Sequence, residues 1–407
     1  MATGKFRFIF RTSLILTISL RKVYMNIALV CPDDLSIVLF CKGIIKELKS
    51  VKDSEVYVIC SAGDYRQELT NLGVHVQDVD IDRYTSFSKD LIYLFGLYRV
   101  FRSKRFDLVL TFSTKANIYG TIAAAMAGAR KIAIHVVGLG GVFTLPPGFK
   151  TKLKQFVFLL LYRVSCFLSD RVWFTNPNDM SFFIRKKIVS TQKTILTRNY
   201  LDTDFYSPSM VSDRVIADLK RELGIGENDK TVMMVARMIW SKGIREYAEA
   251  AELISSKRTD VTFVLVAPLE PGNPDFVPES YIREMEKKAR LKWLGFRNDI
   301  RELYAVSDLA VAPTYYKEGG YPRSLLEPMS MGKPLISADS IDCKSAVEEG
   351  QNGYLVPIRD SKALAKSIED LIDNPEKMKR FGSYSRLKAK EKFDERKIVQ
   401  YAVARLV

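Results

Sequence analysis

Two glutamates, Glu318 and Glu327, stand on either side of a glycine-containing turn that opens a predicted helix. Backbone amides freed at Gly319, Gly320 and the first helical turn can point at an anion, and the helix dipole adds partial positive charge there. Pro322 suits that turn, because its missing amide is one that the helix could not have used. The glutamates only accept hydrogen bonds, so they match hydroxyl groups better than phosphate. The turn therefore suits a ligand that carries both groups, such as a nucleotide sugar.

A pair of cations precedes this turn in the chain. Arg237 and Lys242 follow an apolar predicted strand and are five positions apart. When a bond between a sugar and a nucleoside diphosphate breaks, the leaving group accumulates negative charge, and fixed cations aimed at it lower the barrier. Taken alone, an arginine and a lysine after a strand could also be solvated surface residues. Their position ahead of the glutamate turn favours the functional interpretation, so we predict that both are catalytic.

These motifs resemble the retaining glycosyltransferases of family 4, which have the GT-B fold. The resemblance implies that Glu318 is catalytic and orients donor hydroxyls, that Glu327 holds the ribose, and that Arg237 and Lys242 stabilise the departing diphosphate. The chain departs from the family pattern at two points. The family usually spaces its glutamates eight positions apart, whereas here the spacing is nine. Pro328 also stands where the family more often has alanine, and a proline inside a helix costs about 3 kcal/mol.

The resemblance also implies a donor site built from two turns. The turn that begins at Leu294 and Gly295 is similar to the one with which the family holds the nucleobase through backbone groups. An ordinary strand-to-helix turn in which Asp299 caps the helix is compatible with the same residues. The donor-binding residues predicted in this way are Gly319, Gly320, Arg323, Ser324, Leu325, Glu327, Phe296 and Arg297.

The first half of the chain is similar to a subset of the family that extends lipid-linked glycan precursors, at residues 111–120 and 137–143. Glycines there would let the backbone approach a donor or acceptor closely. Asp33 could meet the acceptor hydroxyl or equally be a turn residue. His135 shares a strand face with the position at which many family members have histidine, and a core histidine is the alternative. The weaker candidates for the acceptor side or inner cleft are His135, Gly138, Gly140, Asp33 and Lys115.

The order of elements predicts two α/β domains. From Met25 onward, short apolar runs alternate with amphipathic stretches, as in a parallel sheet with crossover helices; the alternation stops over residues 198–213 and then resumes. A chain of 407 residues also exceeds what one core usually organises. The fold class is therefore α/β, and the resemblance makes it GT-B, with two Rossmann-like domains facing across a cleft. The predicted parts are an N-terminal extension or mis-assigned start (1–24), an acceptor-binding domain (25–205), a nucleotide-sugar-binding domain (206–384) and a helix crossing back to the first domain (385–407).

The amino-acid composition limits the classes of partner and cofactor that the protein is expected to bind. The net charge of +15 favours an anionic partner, such as nucleic acid, a nucleotide substrate or acidic lipid. No zinc spacing, RNA-binding signature or basic zipper is present in the sequence, so no nucleic-acid partner is expected. The five cysteines are scattered and the histidines number two, which argues against a disulfide framework or a histidine-based metal cluster and fits a reducing cytosol. We expect neither a metal nor another cofactor.

Two predicted helical stretches could lie on a lipid surface. Residues 93–106 and 150–163 mix aromatic and aliphatic side chains with lysine and arginine, although core helices are the alternative. The apolar stretch from Phe8 to Leu20 contains Arg11 and is shorter than the roughly 20 residues that a membrane span needs. We therefore expect a cytoplasmic protein attached peripherally to the inner face of the cell membrane.

The function predicted from the residues and the resemblance is transfer of one sugar from a nucleoside-diphosphate donor, expected to be UDP-linked, to a polyprenyl-linked glycan precursor. The departing phosphate would take the acceptor proton, so no dedicated base is required. Two alternatives remain open. One is a nucleotide-sugar 2-epimerase of the same fold, against which the scarcity of histidine argues. The other is a non-catalytic nucleotide-sugar-binding protein.

Overall fold

The computed structural model describes residues 25–82, 87–139, 148–316, 320–340 and 343–407. The described residues form two parallel sheets, each covered by helices on both faces. The strands of the first sheet are β1 (Met25–Asp33), β2 (Ser54–Ser61), β3 (His75–Asp78), β4 (Leu108–Phe112), β5 (Lys131–Val136), β6 (Arg171–Phe174) and β7 (Thr194–Leu196). They are ordered β3-β2-β1-β4-β5-β6-β7. The order reverses beside β1, as in a doubly wound sheet.

The helices around the first sheet follow its strands in the alternation that the sequence predicted. They are α1 (Asp34–Phe40), α2 (Lys42–Ser50), α3 (Arg66–Asn71), α4 (Phe87–Ser103), α5 (Thr121–Ala127), α6 (Phe149–Leu168) and α7 (Pro177–Arg185), with one π-helical turn at Ala116–Gly120 before α5. The centre of the sheet is buried on both faces. Every residue of β4 is buried, which is why that strand is apolar throughout and does not alternate.

The second sheet contains β8 (Lys230–Val235), β9 (Val261–Val266), β10 (Leu291–Trp293), β11 (Leu309–Ala312), β12 (Leu335–Ala338) and β13 (Gly353–Val356), in the order β10-β9-β8-β11-β12-β13. Its helices are α8 (Asp213–Glu222), α9 (Ile244–Ser255), α10 (Glu279–Lys288), α11 (Ile300–Val306), α12 (Arg323–Ser330), α13 (Ser361–Ile372) and α14 (Pro375–Lys392). Because β8 and β11 are hydrogen-bonded neighbours, the turns that follow them emerge at the same edge of the sheet. The prediction of two doubly wound α/β domains is confirmed.

The chain passes between the domains at two places that are hydrogen-bonded to each other. Leu201 donates its amide to the Phe393 carbonyl and accepts from the Glu395 amide, both at 2.9 Å. The last helix, α15 (Glu395–Val403), then packs on α2 and supplies Val399, among others, to the apolar core of the first domain. The predicted boundary after residue 384 falls within α14, which continues to Lys392.

We predict that the end of the chain stabilises the first domain. Leu406 is 3% exposed in that domain's core, whereas Leu387 on α14 is 53% exposed. Leu406→Ala should lower the free energy of unfolding by about 2–5 kcal/mol, because it leaves a cavity. Leu387→Ala is the matched control and should change it by at most about 0.5 kcal/mol. Urea denaturation followed by circular dichroism measures both, and equal midpoints for the two variants would contradict the prediction.

Candidate functional site

One carbonyl oxygen joins the turn after β8 to the segment after β11. The Ser241 carbonyl accepts hydrogen bonds from the Tyr315 and Tyr316 amides, both at 2.9 Å, and from the Thr314 hydroxyl at 3.3 Å. The Ser241 amide donates to a carboxylate oxygen of Asp275 at 3.0 Å. The two motifs singled out in the sequence, although far apart along the chain, are therefore neighbours in space.

Gly243 allows these two turns to touch. Its φ is 83°, in the left-handed region that favours glycine. A Cβ atom at this position would lie 2.4 Å from the carbonyl oxygen of Pro313, which is backbone and cannot swing aside. The position therefore requires glycine both for its backbone conformation and for the space that it leaves.

The two predicted cations lie against the same aromatic ring. The guanidinium carbon of Arg237 is 4.9 Å from the centre of the Tyr316 ring, and the ammonium nitrogen of Lys242 is 5.0 Å from it. Arg237 also donates to Glu270 at 3.3 Å, and Asn273 donates to the same carboxylate oxygen at 3.0 Å. The structure thus places Arg237 and Lys242 together at the carboxyl edge of the second sheet.

The predicted donor helix begins with an ion pair that also reaches the first domain. Arg323 donates from Nε to Glu327 at 2.8 Å and from Nη1 to the Leu39 carbonyl at 2.7 Å. Its guanidinium lies over the rings of Phe40 and Tyr206, at 5.3 and 5.8 Å from their centres. Burial lowers the pKa of Arg323, but the charges and hydrogen bonds of Glu327 and Tyr206 together outweigh that effect and hold the pKa above its ordinary value. Arg323 therefore orients Glu327 and links α12 to the first domain.

The proline within α12 has a specific compensation. Pro328 has no amide to donate to the Ser324 carbonyl, one turn earlier in the helix. The hydroxyl of Tyr304, which is fully buried, donates to that carbonyl at 3.5 Å.

Leu325, which we predicted to bind the donor, is fully buried in the core of the second domain, so only its backbone can face a ligand.

The turn predicted to hold the base is fixed by a three-membered ion-pair cluster. Arg297 donates to both carboxylate oxygens of Asp299, at 2.8 and 2.5 Å, and to Glu222 on α8 at 2.6 Å. The hydrogen bond from Arg297 lowers the pKa of Asp299. Asp299 occupies the N-cap position of α11 without accepting a helix amide, so a side-chain cap is the wrong interpretation. Phe296 is exposed beside this cluster.

Further contacts cross between the domains around the cleft. The Tyr65 hydroxyl of the first domain donates to the Asn298 side chain at 3.3 Å. Asn199, in the segment between the domains, donates to the Tyr321 carbonyl at 2.7 Å. Gly320, the described end of the glycine turn, has a φ of 125° and lies against Asn199 and the end of the first sheet. Gly320 therefore faces the first domain.

His135 lies in the core of the first domain. Its ring stacks on Trp173 with centroids 3.7 Å apart and meets the edge of Phe112 at 5.3 Å. It is 1% exposed, and neither ring nitrogen has a hydrogen-bond partner among the described residues. Burial lowers the pKa of His135 to about 3, so the imidazole is neutral. The position matches the core histidine that the sequence left open, and a role facing the acceptor is wrong for this side chain.

Two of the remaining candidates of the first domain, Asp33 and Lys115, form hydrogen bonds within that domain. Asp33 caps α1 by accepting the Ser36 amide at 2.6 Å, which is the turn role that the sequence left open. Lys115 donates to Asp90 at 2.6 Å. Gly138 follows the carboxyl end of β5, where ligands bind in open parallel sheets. The predicted residues Glu318, Gly319 and Gly140 lie outside the described part of the chain.

No group of three or more histidine, cysteine, aspartate or glutamate side chains among the described residues is placed to hold a metal ion.

Two family models match the chain, one over most of the first sheet and the other over the whole second sheet. The model described as "Glycosyl transferase 4-like" matches residues 26–171, and the model described as "Glycosyl transferases group 1" matches residues 215–388. The second match contains Arg237, Lys242, Tyr316 and α12. Both halves of the chain thus match glycosyltransferase models, and the first of these models is family 4-like. The family and the enzyme class predicted from the sequence are therefore confirmed.

Two bacterial glycosyltransferases are similar to this chain over most of its length. The N,N'-diacetylbacillosaminyl-diphospho-undecaprenol alpha-1,3-N-acetylgalactosaminyltransferase of Campylobacter jejuni is 29% identical over 341 residues, which are 83% of this chain and 87% of the relative. The UDP-Gal:alpha-D-GlcNAc-diphosphoundecaprenol alpha-1,3-galactosyltransferase of Escherichia coli is 28% identical over 295 residues, or 72% of this chain and 73% of the relative.

The crystal structure of Anabaena Alr3699/HepE in complex with UDP and glucose superimposes with a TM-score of 0.74 and 21% identity. The superposition covers 94% of this chain and 99% of the Anabaena chain. Such a likeness concerns the fold, and it confirms the GT-B architecture.

His135 generates a prediction about stability and pH. Its pKa is about 3 in the folded chain against 6.5 when unperturbed, so between these values only the unfolded chain binds the proton. The free energy of unfolding therefore falls as the pH drops from 6.5 towards 3, by up to about 1.4 kcal/mol per pH unit from this group. His135→Phe should flatten that dependence, measured by urea denaturation between pH 7 and pH 5.

The exposed His75 provides the control. His75→Phe makes the same substitution at an exposed position, and its slope is compared with that of His135→Phe. Equal slopes for the His135→Phe variant and the unmodified protein would show that the buried imidazole does not titrate with unfolding.

Proposed function

We propose that this glycosyltransferase transfers one sugar from a UDP-linked donor to a saccharide carried on undecaprenyl diphosphate. The observation that carries the proposal is the placement of Arg237 and Lys242 on one ring, beside the turn that leads to α12. The relatives from C. jejuni and E. coli, whose names include undecaprenyl-diphosphate-linked acceptors, support the acceptor class. The UDP bound by the Anabaena protein supports the donor class.

The donor diphosphate would lie between the two cations and the first amides of α12. As the bond to the sugar breaks, charge develops on the departing phosphate, and preorganised cations and amides stabilise it without further reorganisation. Glu327, which Arg323 orients at 2.8 Å, would accept hydrogen bonds from the ribose hydroxyls. Glu318 would orient hydroxyls of the transferred sugar.

The reaction would retain the configuration of the sugar, which fits the alpha linkages in the names of both relatives. The acceptor oxygen bonds to the anomeric carbon on the face that the phosphate oxygen leaves. The acceptor proton passes to the departing phosphate, so atoms and charge balance without a protein base. We propose that Arg237 and Lys242 supply the positive charge that a metal ion provides in other transferases, so that no metal or other cofactor takes part.

Transfer can be measured with purified protein, a panel of radiolabelled nucleotide sugars and a membrane lipid extract. We expect label in the organic phase from one UDP-sugar, and the same rate in EDTA. Arg237→Gln and Lys242→Gln should each lower kcat by about 100-fold or more, because each removes one charge from the leaving-group site. Lys257→Gln is the control, since Lys257 pairs with Glu369 on the exposed surface.

The outcomes separate the alternatives. Label from none of the donors would overturn the transfer proposal. Conversion of the donor to its 2-epimer without lipid would favour the epimerase, and tight donor binding without turnover would favour the binding protein. A rate abolished by EDTA and restored by a divalent ion would overturn the metal-free mechanism.

We further propose that the enzyme attaches peripherally to the inner face of the cytoplasmic membrane through α6. The inward face of this helix packs Phe158 and Tyr162 into the core, while its outward face exposes an apolar stripe. Phe149 and Phe167, at the two ends of the stripe, are 85% and 80% exposed. An exposed apolar face of this size is unusual for a surface that meets only water. The stripe consists of Phe149, Leu153, Phe156, Val157, Leu160, Val164 and Phe167.

The charge around the stripe favours an anionic leaflet. Lys150, Lys152 and Lys154 lie in the first turns of α6, and each basic residue near such a surface contributes about 1 kcal/mol of attraction. No helix in the described part of the chain is both long and apolar enough to cross a bilayer. The helix would therefore lie in the plane of the interface, with its aromatic side chains in the headgroup region.

Vesicle sedimentation tests this attachment. The double variant Phe156→Ser with Phe167→Ser should bind vesicles that contain anionic lipid about 10- to 100-fold more weakly, because less apolar area enters the bilayer. Ile358→Ser with Leu387→Ser is the matched control, since both side chains are exposed on the second domain. Equal partitioning of the two double variants would show that α6 is not the attachment site, whatever the transfer activity.

A further inference from the structure

The Tyr316 ring contacts two cations at once. Arg237 and Lys242 lie 4.9 and 5.0 Å from its centre, within the range of about 6 Å at which a cation is attracted to an aromatic face. Each contact alone is common on protein surfaces. A ring shared by both cations of a proposed diphosphate site is not explained by surface packing.

The ring is attached to backbone that is fixed without the cations. The Tyr316 amide donates to the Ser241 carbonyl at 2.9 Å and to the Thr314 hydroxyl at 3.2 Å. Ser241 immediately precedes Lys242, so the same hydrogen bond holds the backbones of Tyr316 and Lys242 close together. The backbone that carries the ring is therefore held by the two joined turns.

An aromatic ring suits this place better than a carboxylate. Two like charges close together repel each other, and long basic side chains have many rotamers to lose. Glu270 already accepts a hydrogen bond from Arg237 at 3.3 Å, and a further carboxylate in place of the ring would add more negative charge where an anionic ligand must bind. The ring attracts both cations through its quadrupole and carries no net charge. It can therefore orient Arg237 and Lys242 without reducing their attraction for phosphate.

We propose that Tyr316 is a positioning residue that holds Arg237 and Lys242 in the orientation that receives the donor diphosphate. The inference rests on the proposed function, because it assumes that these two cations bind the diphosphate. The face of the Tyr316 ring, and not its hydroxyl, sets the affinity for the diphosphate. Binding of the nucleoside alone should not depend on it.

The preceding residue provides a matched control. Tyr315 has the same side chain, and its amide donates to the same carbonyl, but its ring lies against Arg359 at 4.6 Å. Arg359 has no part in the proposed donor site. Replacing either tyrosine by leucine removes one ring from adjacent positions, and only one of the two rings faces the predicted diphosphate cations.

The test measures UDP binding by calorimetry and uridine binding by ligand-observed NMR titration in the full chain. Tyr316→Leu should weaken UDP binding by about 5- to 30-fold, the equivalent of about 1–2 kcal/mol for two cation–ring contacts. Uridine affinity should stay within about twofold, since the diphosphate contacts are absent from it. Tyr316→Phe keeps the ring face and should retain most of the affinity for UDP, and Tyr315→Leu should retain all of it.

Failure of this inference can be told from failure of the proposed function. If the unmodified protein does not bind UDP, the proposed function is overturned. If it binds UDP and Tyr316→Leu binds equally well or more tightly, the positioning role is overturned. An equal loss of uridine and UDP affinity in Tyr316→Leu would also overturn the positioning role, because it would reflect general loosening of the site. A loss in Tyr316→Phe as large as in Tyr316→Leu would assign the effect to the hydroxyl.

Discussion

Three hydrogen bonds to the carbonyl oxygen of Ser241 hold together the two turns that form the proposed donor site. They join the turn after β8 to the turn after β11, and Gly243 lets the two backbones approach closely enough for those bonds to form. Everything proposed for the diphosphate depends on this joint. The cations come from one turn, the ring and the glycine turn come from the other, and neither turn alone contains a site.

The donor side is also coupled to the first domain through Arg323. This residue orients Glu327 within α12 and at the same time donates to the Leu39 carbonyl at the end of α1. A movement of one domain against the other therefore changes the environment of the carboxylate proposed to hold the ribose. One partly buried arginine side chain thus contacts both Glu327 and the first domain.

The sequence predicted the parts of this arrangement that depend on local pattern. Alternating apolar and amphipathic runs predicted both parallel sheets, and the order of the two motifs predicted that Arg237 and Lys242 belong together. The sequence did not predict which side chains contact each other between distant segments, because those contacts depend on which strands become neighbours. The Tyr316 contact requires β8 beside β11, and the Arg297 pair with Glu222 joins residues that are distant in the chain. Whether Glu318 and Gly319 contact the donor stays a prediction.

The last helix has a consequence for how the protein is made. The first domain's sheet ends at Leu196, but Val399, Ala402 and Leu406 complete its apolar core. A ribosome that adds about 5–20 residues per second needs roughly 10–40 seconds to synthesise the intervening segment. During that interval the nascent first domain exposes the face on which α15 will pack, and α15 covers that face only after the second domain has been made. The apolar core of the first domain is therefore completed after the synthesis of the second domain, on the face beside α2.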